Sequence, residues 1–140
     1  MRKKTGFSEM YLVDTSVWID IFRETESGKN AMKKIAGKDR YACAVTIVEM
    51  SKWCHSNNFA AAQILPRVET SCSGILNSSR AGEFTAGKMW FEANKGIKKS
   101  GRQVGLIDCI IAATAGENDL TVLTKDKHFQ RFTNIKKEII

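Results

Sequence analysis

Several features that mark membrane, secreted and zinc-binding proteins are missing from this 140-residue sequence. It contains no apolar run long enough to cross a bilayer, and no apolar stretch of the signal-peptide type follows its basic N-terminus, MRKKTGFSEM. Its four cysteines form no CxxC pair and no zinc-like spacing with its two histidines. We therefore expect a cytosolic protein that does not bind membranes, with ordinary buried or half-buried thiols.

The sequence also lacks internal repeats, low-complexity tracts and any sign of a second domain. Apolar residues make up 43% of the chain, and its length suits one domain with a single core. The first strand-like run begins at Tyr11, and Met10 could be the functional start. We therefore expect residues 1–9 to be a flexible extension and residues 10–140 to form a single domain.

Acidic residues are outnumbered in this chain. It has 22 Lys and Arg residues against 15 Asp and Glu residues, which gives a net charge of +7. An excess of positive charge favours a polyanionic partner such as nucleic acid. Many basic soluble proteins bind no nucleic acid, so charge alone leaves the partner open.

Apolar runs of strand length alternate with segments of helical periodicity along the chain. This order predicts an α/β fold in which helices flank a central parallel sheet of about four or five strands. The predicted strands are 11–13, 41–45, 74–76, 121–124 and an edge strand at 138–140. The predicted helices are one that ends near residue 23, a short one at 30–36, three at 46–56, 58–65 and 86–101, and a buried one that opens at Asp108. Pro66 is expected to end or restart a helix, because proline lacks the amide proton.

Four acidic residues lie where a predicted strand meets the helix or turn that follows it. They are Asp14 after the first strand, Glu49 in the first helical turn after the second, Asp108 at the start of the buried helix, and Asp126 after the fourth strand. Each has a purely structural explanation. Asp14 and Asp108 could cap helices, Asp126 could be a turn residue, and TIVE at 46–49 fits the S/T-x-x-E capping box.

The parallel topology favours one shared site over four separate caps. It brings the carboxyl ends of the strands to one edge of the sheet, where open α/β folds bind their ligands. Two carboxylates ~4 Å apart repel by about 4 kcal/mol at an effective dielectric of about 20, and a divalent cation would relieve that repulsion. An all-oxygen ligand set favours Mg²⁺ or Mn²⁺ over Zn²⁺. The remaining acids, Asp20 among them, are expected on exposed faces or loops.

Four stretches, in their order and spacing, resemble the PIN-domain ribonucleases, in particular the VapC-like toxins of toxin–antitoxin pairs. They are YLVDTSVWI (11–19), AVTIVEM (44–50), VGLIDCIIAATA (104–115) and LTVLTKDKHF (120–129). The resemblance covers about residues 10–140. It implies a PIN-like fold, a metal-dependent endoribonuclease activity on RNA, a cognate antitoxin as partner, and a homodimer.

The resemblance also implies a role for particular residues. The acidic site for Mg²⁺ or Mn²⁺ would consist of Asp14, Glu49, Asp108 and Asp126. Ser16 and Thr124 match small polar residues that would hydrogen-bond the ligands or metal-bound water. Thr15 or Ser16 would then take over the capping of the first helix from Asp14.

Basic residues near the proposed site are candidates for contacts with RNA phosphates, which position a strand without reading its sequence. Some flank Asp126, and others belong to a run of residues without an acid, for which a solvated helix end is an equal alternative. The candidates are Lys125, Lys127, Arg131, Lys98, Lys99 and Arg102.

Two rival functions start from the same residues. A phosphotransfer enzyme of the haloacid dehalogenase type needs a second Asp two residues after the first, and Ser16 occupies that position. A non-catalytic RNA-binding or scaffold domain could keep all four carboxylates without cleaving anything. Only activity measurements separate this second rival from a nuclease.

Overall fold

The protein is built on a five-stranded sheet in which all paired strands are parallel, in the order β3-β2-β1-β4-β5. The computed structural model describes residues 9–98 and 101–140, so most of the expected extension at 1–9 lies outside the described residues. The strands are β1 (Tyr11–Val13), β2 (Arg40–Cys43), β3 (Gly74–Leu76), β4 (Thr121–Thr124) and β5 (Lys137–Ile139). The predicted α/β fold with a central parallel sheet is confirmed.

Helices cover both faces of the sheet. They are α1 (Thr15–Phe22), α2 (Glu26–Ile35), α3 (Ala44–Ser56), α4 (Ala61–Ser71), α5 (Arg80–Ala93), α6 (Leu106–Glu117) and a 3₁₀ helix (Lys127–Arg131). In the part of the chain that the structure describes, no helix is long and apolar enough to cross a membrane.

The central strand β1 divides the core into two layers. Leu12 packs in the layer that contains α5 and α6, whereas Tyr11 and Val13 pack in the layer that contains α1 to α4. This follows from the period of two in a strand, which sends successive side chains to opposite faces. Because β1 is buried on both faces, its sequence is apolar throughout, as a central parallel strand requires.

Strands β1 and β4 lie side by side and bring the residues after them together. Val13 is in register with Leu123, and the amide nitrogen of Asp14 donates to the carbonyl oxygen of Leu123 at 2.9 Å. Asp14 and Thr124 therefore face each other at the carboxyl edge of the sheet.

Two helices begin earlier than the periodicity predicts, because a hydroxyl residue caps each one. The side chain of Thr25 accepts a hydrogen bond from the amide of Gly28, so α2 starts at Glu26 and not at Asn30. Ser79 accepts in the same way from Gly82 at the start of α5. The predicted start of α2 at residue 30 was therefore wrong, and α5 ends at Ala93, before the expected 101.

Helix α4 was predicted to end or restart at Pro66, and this was wrong. The helix runs continuously through Pro66 to Ser71. Proline removes the hydrogen bond to the carbonyl of residue 62. Ala62 is exposed, so water can satisfy that carbonyl.

Candidate functional site

Asp14 is buried at the edge of the sheet, with 3% of its surface exposed. It occupies the N-cap position of α1, but its side chain makes no capping hydrogen bond. Its Oδ2 instead accepts from the hydroxyls of Ser16 and Thr124, both at 2.8 Å. Burial raises the pKa of Asp14, and the two hydroxyl donors partly oppose that shift. The side chain is thus held as an acceptor, and the capping explanation was wrong.

Glu49 lies on α3, and its side chain contacts the residue that follows Asp14. Thr15 Oγ1 donates to Glu49 Oε1 at 2.6 Å and lies 3.1 Å from Thr46 Oγ1. The predicted capping box was wrong, because α3 begins at Ala44 after the N-cap residue Cys43, which places Glu49 in the second turn. Freed from the cap, the carboxylate points at the N-terminus of α1.

The hydroxyls of Thr15 and Ser16 both bind carboxylates. Thr15 donates to Glu49, and Ser16 donates to Asp14. The prediction that one of them caps α1 was therefore wrong. The two hydroxyls orient the acids of neighbouring elements instead.

Asp108 lies in the first turn of α6, three positions after the N-cap residue Gly105. The alternative that Asp108 caps this helix was therefore wrong. Burial raises the pKa of Asp108 to about 7, and the negative charges of Asp14, Asp126 and Glu49 add to the shift. A carboxyl group feels three others in this way only when all lie close together. The structure thus brings all four predicted acids to one edge of the sheet.

Asp126 combines a structural contact with a place in this cluster. It is the N-cap of the 3₁₀ helix, and its Oδ1 accepts from the amide of His128 at 2.9 Å. Its own amide donates to Thr124 Oγ1 at 2.9 Å. Its carboxyl group also lies close enough to Asp108 to contribute to the raised pKa of Asp108.

Thr124 connects the acids, and replacing it tests this network. Its buried hydroxyl donates to Asp14 and accepts from the amide of Asp126. We expect Thr124→Val to destabilise the metal-free protein by about 1–3 kcal/mol, because it deprives two polar groups of a partner. Denaturant unfolding measures the change. Thr121→Val on the same strand is the matched control, since Thr121 is also buried but has no side-chain hydrogen bond within the described ranges. Equal losses in the two variants would contradict the network.

The four carboxyl groups are chemically suited to bind a divalent cation, although their side chains do not converge on one point in this structure. Among the described residues, no three His, Cys, Asp or Glu side chains are arranged to hold a metal ion. Asp14, Glu49 and Asp108 also have no Lys or Arg ion pair with any described residue. All four groups offer carboxylate oxygen, the ligand that Mg²⁺ and Mn²⁺ prefer.

The predicted basic residues have different environments. Lys127, Lys98 and Arg102 are exposed, and Lys99 lies outside the described residues. Arg131 donates through Nη1 to the carbonyl oxygen of Arg102 at 2.9 Å.

Lys125 forms an ion pair with Asp20 at 2.5 Å. The expectation that Asp20 is solvated was wrong, because only 5% of its surface is exposed. No local sequence signal marks this pair, since its members are far apart along the chain.

Comparison with known proteins agrees with this architecture. The PIN domain model matches residues 11–135. No curated protein sequence gives a significant match. One similar solved structure is VapBC2 from Rickettsia felis, bound to a DNA fragment from its promoter. It is 20% identical, with a TM-score of 0.70 over 93% of this chain and 98% of that chain.

Two further structures share the fold. DNA-bound VapBC from Salmonella typhimurium is 22% identical, with a TM-score of 0.69 over 94% of this chain and 98% of that one. VapC20 from Mycobacterium tuberculosis, described as a Sarcin-Ricin loop cleaving toxin, is 15% identical. Its TM-score is 0.66 over 90% of this chain and 97% of that chain. These identities establish a shared fold, whereas the family model matches most of the sequence. The chain therefore belongs to the PIN-domain family.

Proposed function

We propose that this protein is an Mg²⁺- or Mn²⁺-dependent endoribonuclease and the toxin component of a toxin–antitoxin pair. The observation that carries the proposal is the meeting of four carboxyl groups: burial raises the pKa of Asp108 to about 7, and the negative charges of Asp14, Asp126 and Glu49 add to the shift. Asp14, Glu49 and Asp108 have no Lys or Arg ion pair within the described residues, and packing such acids together costs folding energy. A functional cation site explains why the chain keeps it. Membership of the PIN-domain family supports the same function.

Asp14 and Asp108 are the strongest ligand candidates, followed by Glu49 and then Asp126. Ser16 and Thr124 fix the orientation of the Asp14 carboxylate through their hydroxyls. The ion, when bound, would supply an activated water and stabilise the charge that develops on the scissile phosphodiester. Because the four side chains are not arranged around one point in the described structure, we expect them to close inward on metal binding.

We assign phosphate contacts to exposed basic side chains. Lys127 is exposed and lies next to Asp126, so it is the first candidate, and Lys98 and Arg102 are further ones. Arg131 keeps donors besides the Nη1 that binds the Arg102 carbonyl. Lys125 is a weaker candidate than the sequence indicated, because Asp20 already binds its ammonium group. Such contacts make RNA binding depend on salt.

The direct test is cleavage of RNA by the purified protein with Mg²⁺ or Mn²⁺. We expect cleavage with either ion, loss of cleavage with excess EDTA, and no cleavage by Asp14→Asn. Metal should also raise the thermal midpoint. At a free metal concentration of a hundred times the dissociation constant, binding adds about 2.7 kcal/mol to the free energy of unfolding. The Asp14→Asn variant should show a smaller rise. Wild-type protein that cleaves no RNA under any divalent cation would overturn the nuclease proposal.

The alternative function is a PIN-like domain that binds RNA or acts as a scaffold without catalysis. It is supported by the same four carboxylates and the same excess of basic residues. Metal-independent RNA binding without any cleavage product would favour it. Cleavage that stops in EDTA would exclude it.

The proposed partners are a cognate antitoxin and a second copy of this chain, in the cytosol. Similar structures are VapBC complexes, which supports an antitoxin partner. Phe84 and Phe91 lie seven residues apart on α5 and are 77% and 63% exposed, which supports a protein contact on that helix. Co-purification with the product of a small gene directly upstream, and the mass in solution by light scattering, test these two partners separately.

A further inference from the structure

Asp20 is a buried carboxylate outside the acidic cluster, and the proposed chemistry does not use it. It lies on α1, and its side chain is 7% exposed. Its Oδ2 accepts from the Ser27 hydroxyl and pairs with Lys125 Nζ at 2.5 Å. Burial alone would raise the pKa of Asp20, but Lys125 and Ser27 outweigh burial and hold the pKa below its ordinary value. The carboxylate is therefore ionised and fixed in place.

Lys125 contacts α1 at two points. Its ammonium group binds Asp20, and its backbone amide donates to Ser16 Oγ at 3.3 Å. Ser16 and Asp20 are four residues apart on α1, so they lie one above the other on the same helix face. The side chain of Lys125 therefore lies along that face and ties the end of β4 to α1.

The residues on both sides of Lys125 belong to the acidic site. Thr124 donates to Asp14 Oδ2 and accepts from the Asp126 amide, and the charge of Asp126 helps to raise the pKa of Asp108. Any shift of this short segment relative to α1 would move Thr124 and Asp126 away from their partners. Within the described residues, the pair with Asp20 is the only ion pair or hydrogen bond that the Lys125 side chain makes with α1.

We propose that Lys125 and Asp20 are positioning residues, whose ion pair clamps the end of β4 on α1 and so aligns Asp14 and Asp126 for the cation. This inference rests on the proposed function. It assigns Lys125 a role different from phosphate contact. A positioning role requires Asp20, whereas a phosphate contact does not.

A double-mutant cycle separates the two roles. The variants are Lys125→Met, Asp20→Asn and the double variant, with Mn²⁺ affinity measured by titration calorimetry and kcat and KM measured on RNA. We expect each single change to weaken Mn²⁺ binding or kcat by about 10- to 100-fold, as for other groups that orient ligands. The Mn²⁺ affinity and kcat of the double variant should be no lower than those of the more impaired single variant. Lys125→Arg should restore most of the loss.

Two controls complete the design. Lys136→Met removes a comparable ion pair, with Asp119 at 2.8 Å, but that pair is exposed and precedes β5 at the opposite end of the sheet. It should leave Mn²⁺ affinity and kcat unchanged. Lys127→Met should instead raise KM and reduce the salt dependence of RNA binding, with Mn²⁺ affinity intact.

The clamp is overturned if Lys125→Met behaves like Lys127→Met while Asp20→Asn leaves Mn²⁺ affinity unchanged, or if the two single effects add in the double variant. If Asp20→Asn does not fold, Lys125→Met and its recovery by Lys125→Arg carry the test, because Lys125 is on the surface. Wild-type protein that binds Mn²⁺ but cleaves no RNA would overturn the proposed function alone. The Mn²⁺ affinities of the variants would still decide the clamp.

Discussion

Replacing Asp108 by Asn will stop RNA cleavage and at the same time stabilise the metal-free protein above about pH 7. Activity should fall on the order of 10³-fold, since a metal ligand contributes several kcal/mol of transition-state stabilisation. Stability should rise because an amide cannot ionise, so the buried cluster loses one of its repelling charges. A residue kept only for folding would not show this opposition.

The sign of the pH effect follows from the pKa of Asp108. It is about 7 in the folded protein against an ordinary value of 3.8, so between these two values the folded state binds a proton that the unfolded state has released. Stability therefore falls as pH rises through this range and levels off above it. The accumulated loss is roughly 2–4 kcal/mol, which corresponds to roughly 5–15 °C in the thermal midpoint.

Thermal unfolding in EDTA at a series of pH values measures this effect. The wild type should lose stability as pH rises between the two pKa values. In Asp108→Asn, residue 108 should contribute almost no pH dependence to stability. Asp119→Asn is the matched control, because Asp119 is an exposed acid that pairs with Lys136, remote from the cluster. A variant that is less stable than the wild type above about pH 7 would show that the four carboxyl groups do not repel one another. A variant that still cleaves RNA would remove Asp108 from the proposed ligands.

The sequence was sufficient for the sheet and for the convergence of the acids. Apolar runs identify parallel strands, and parallel strands end at a common edge, so Asp14 and Asp126 were expected at the same edge. That they are neighbours follows from the pairing of β1 with β4, which the sequence did not predict. The rule also located Asp108, because an almost wholly apolar helix has to pack against the sheet beside it. These inferences depend on patterns that extend over many residues.

The errors came from local patterns whose meaning depends on distant contacts. TIVE at 46–49 satisfies the capping-box pattern, yet β2 ends at Cys43, so Thr46 is inside the helix and its hydroxyl lies beside that of Thr15. Asp20 was interpreted as a solvated helix acid, but it is buried, with Lys125 and Ser27 as partners of its carboxylate. No periodicity links residues that are so far apart along the chain, so such pairs become visible only in the folded structure.

Replacing Gly28 by Ala will strongly destabilise the protein. Gly28 is buried in the first turn of α2, where this helix crosses α1. A Cβ atom there would lie 2.6 Å from the carbonyl carbon of Asp20 and 2.8 Å from the amide nitrogen of Ile21, and closer still to the Asp20 carbonyl oxygen. Backbone atoms inside a helix cannot move aside as a side chain can. We expect a loss of roughly 2–4 kcal/mol after the gain of about 1 kcal/mol in helix propensity, measured by denaturant unfolding.

Gly82→Ala is the matched control, because Gly82 occupies the same position in α5 and donates its amide to the capping Ser79, as Gly28 does to Thr25. Its Cβ would meet the end of the Glu117 side chain, with the carboxyl carbon at 2.9 Å. Glu117 is exposed, so it can rotate away with the loss of only a surface hydrogen bond from Ser79. The control should therefore change stability by less than about 1 kcal/mol. Similar losses in both variants would mean that the glycine at this helix position matters for the cap, and that the close approach of α1 and α2 does not. A loss confined to Gly28→Ala would show that the close approach sets the position of α1, which carries both Ser16 and Asp20.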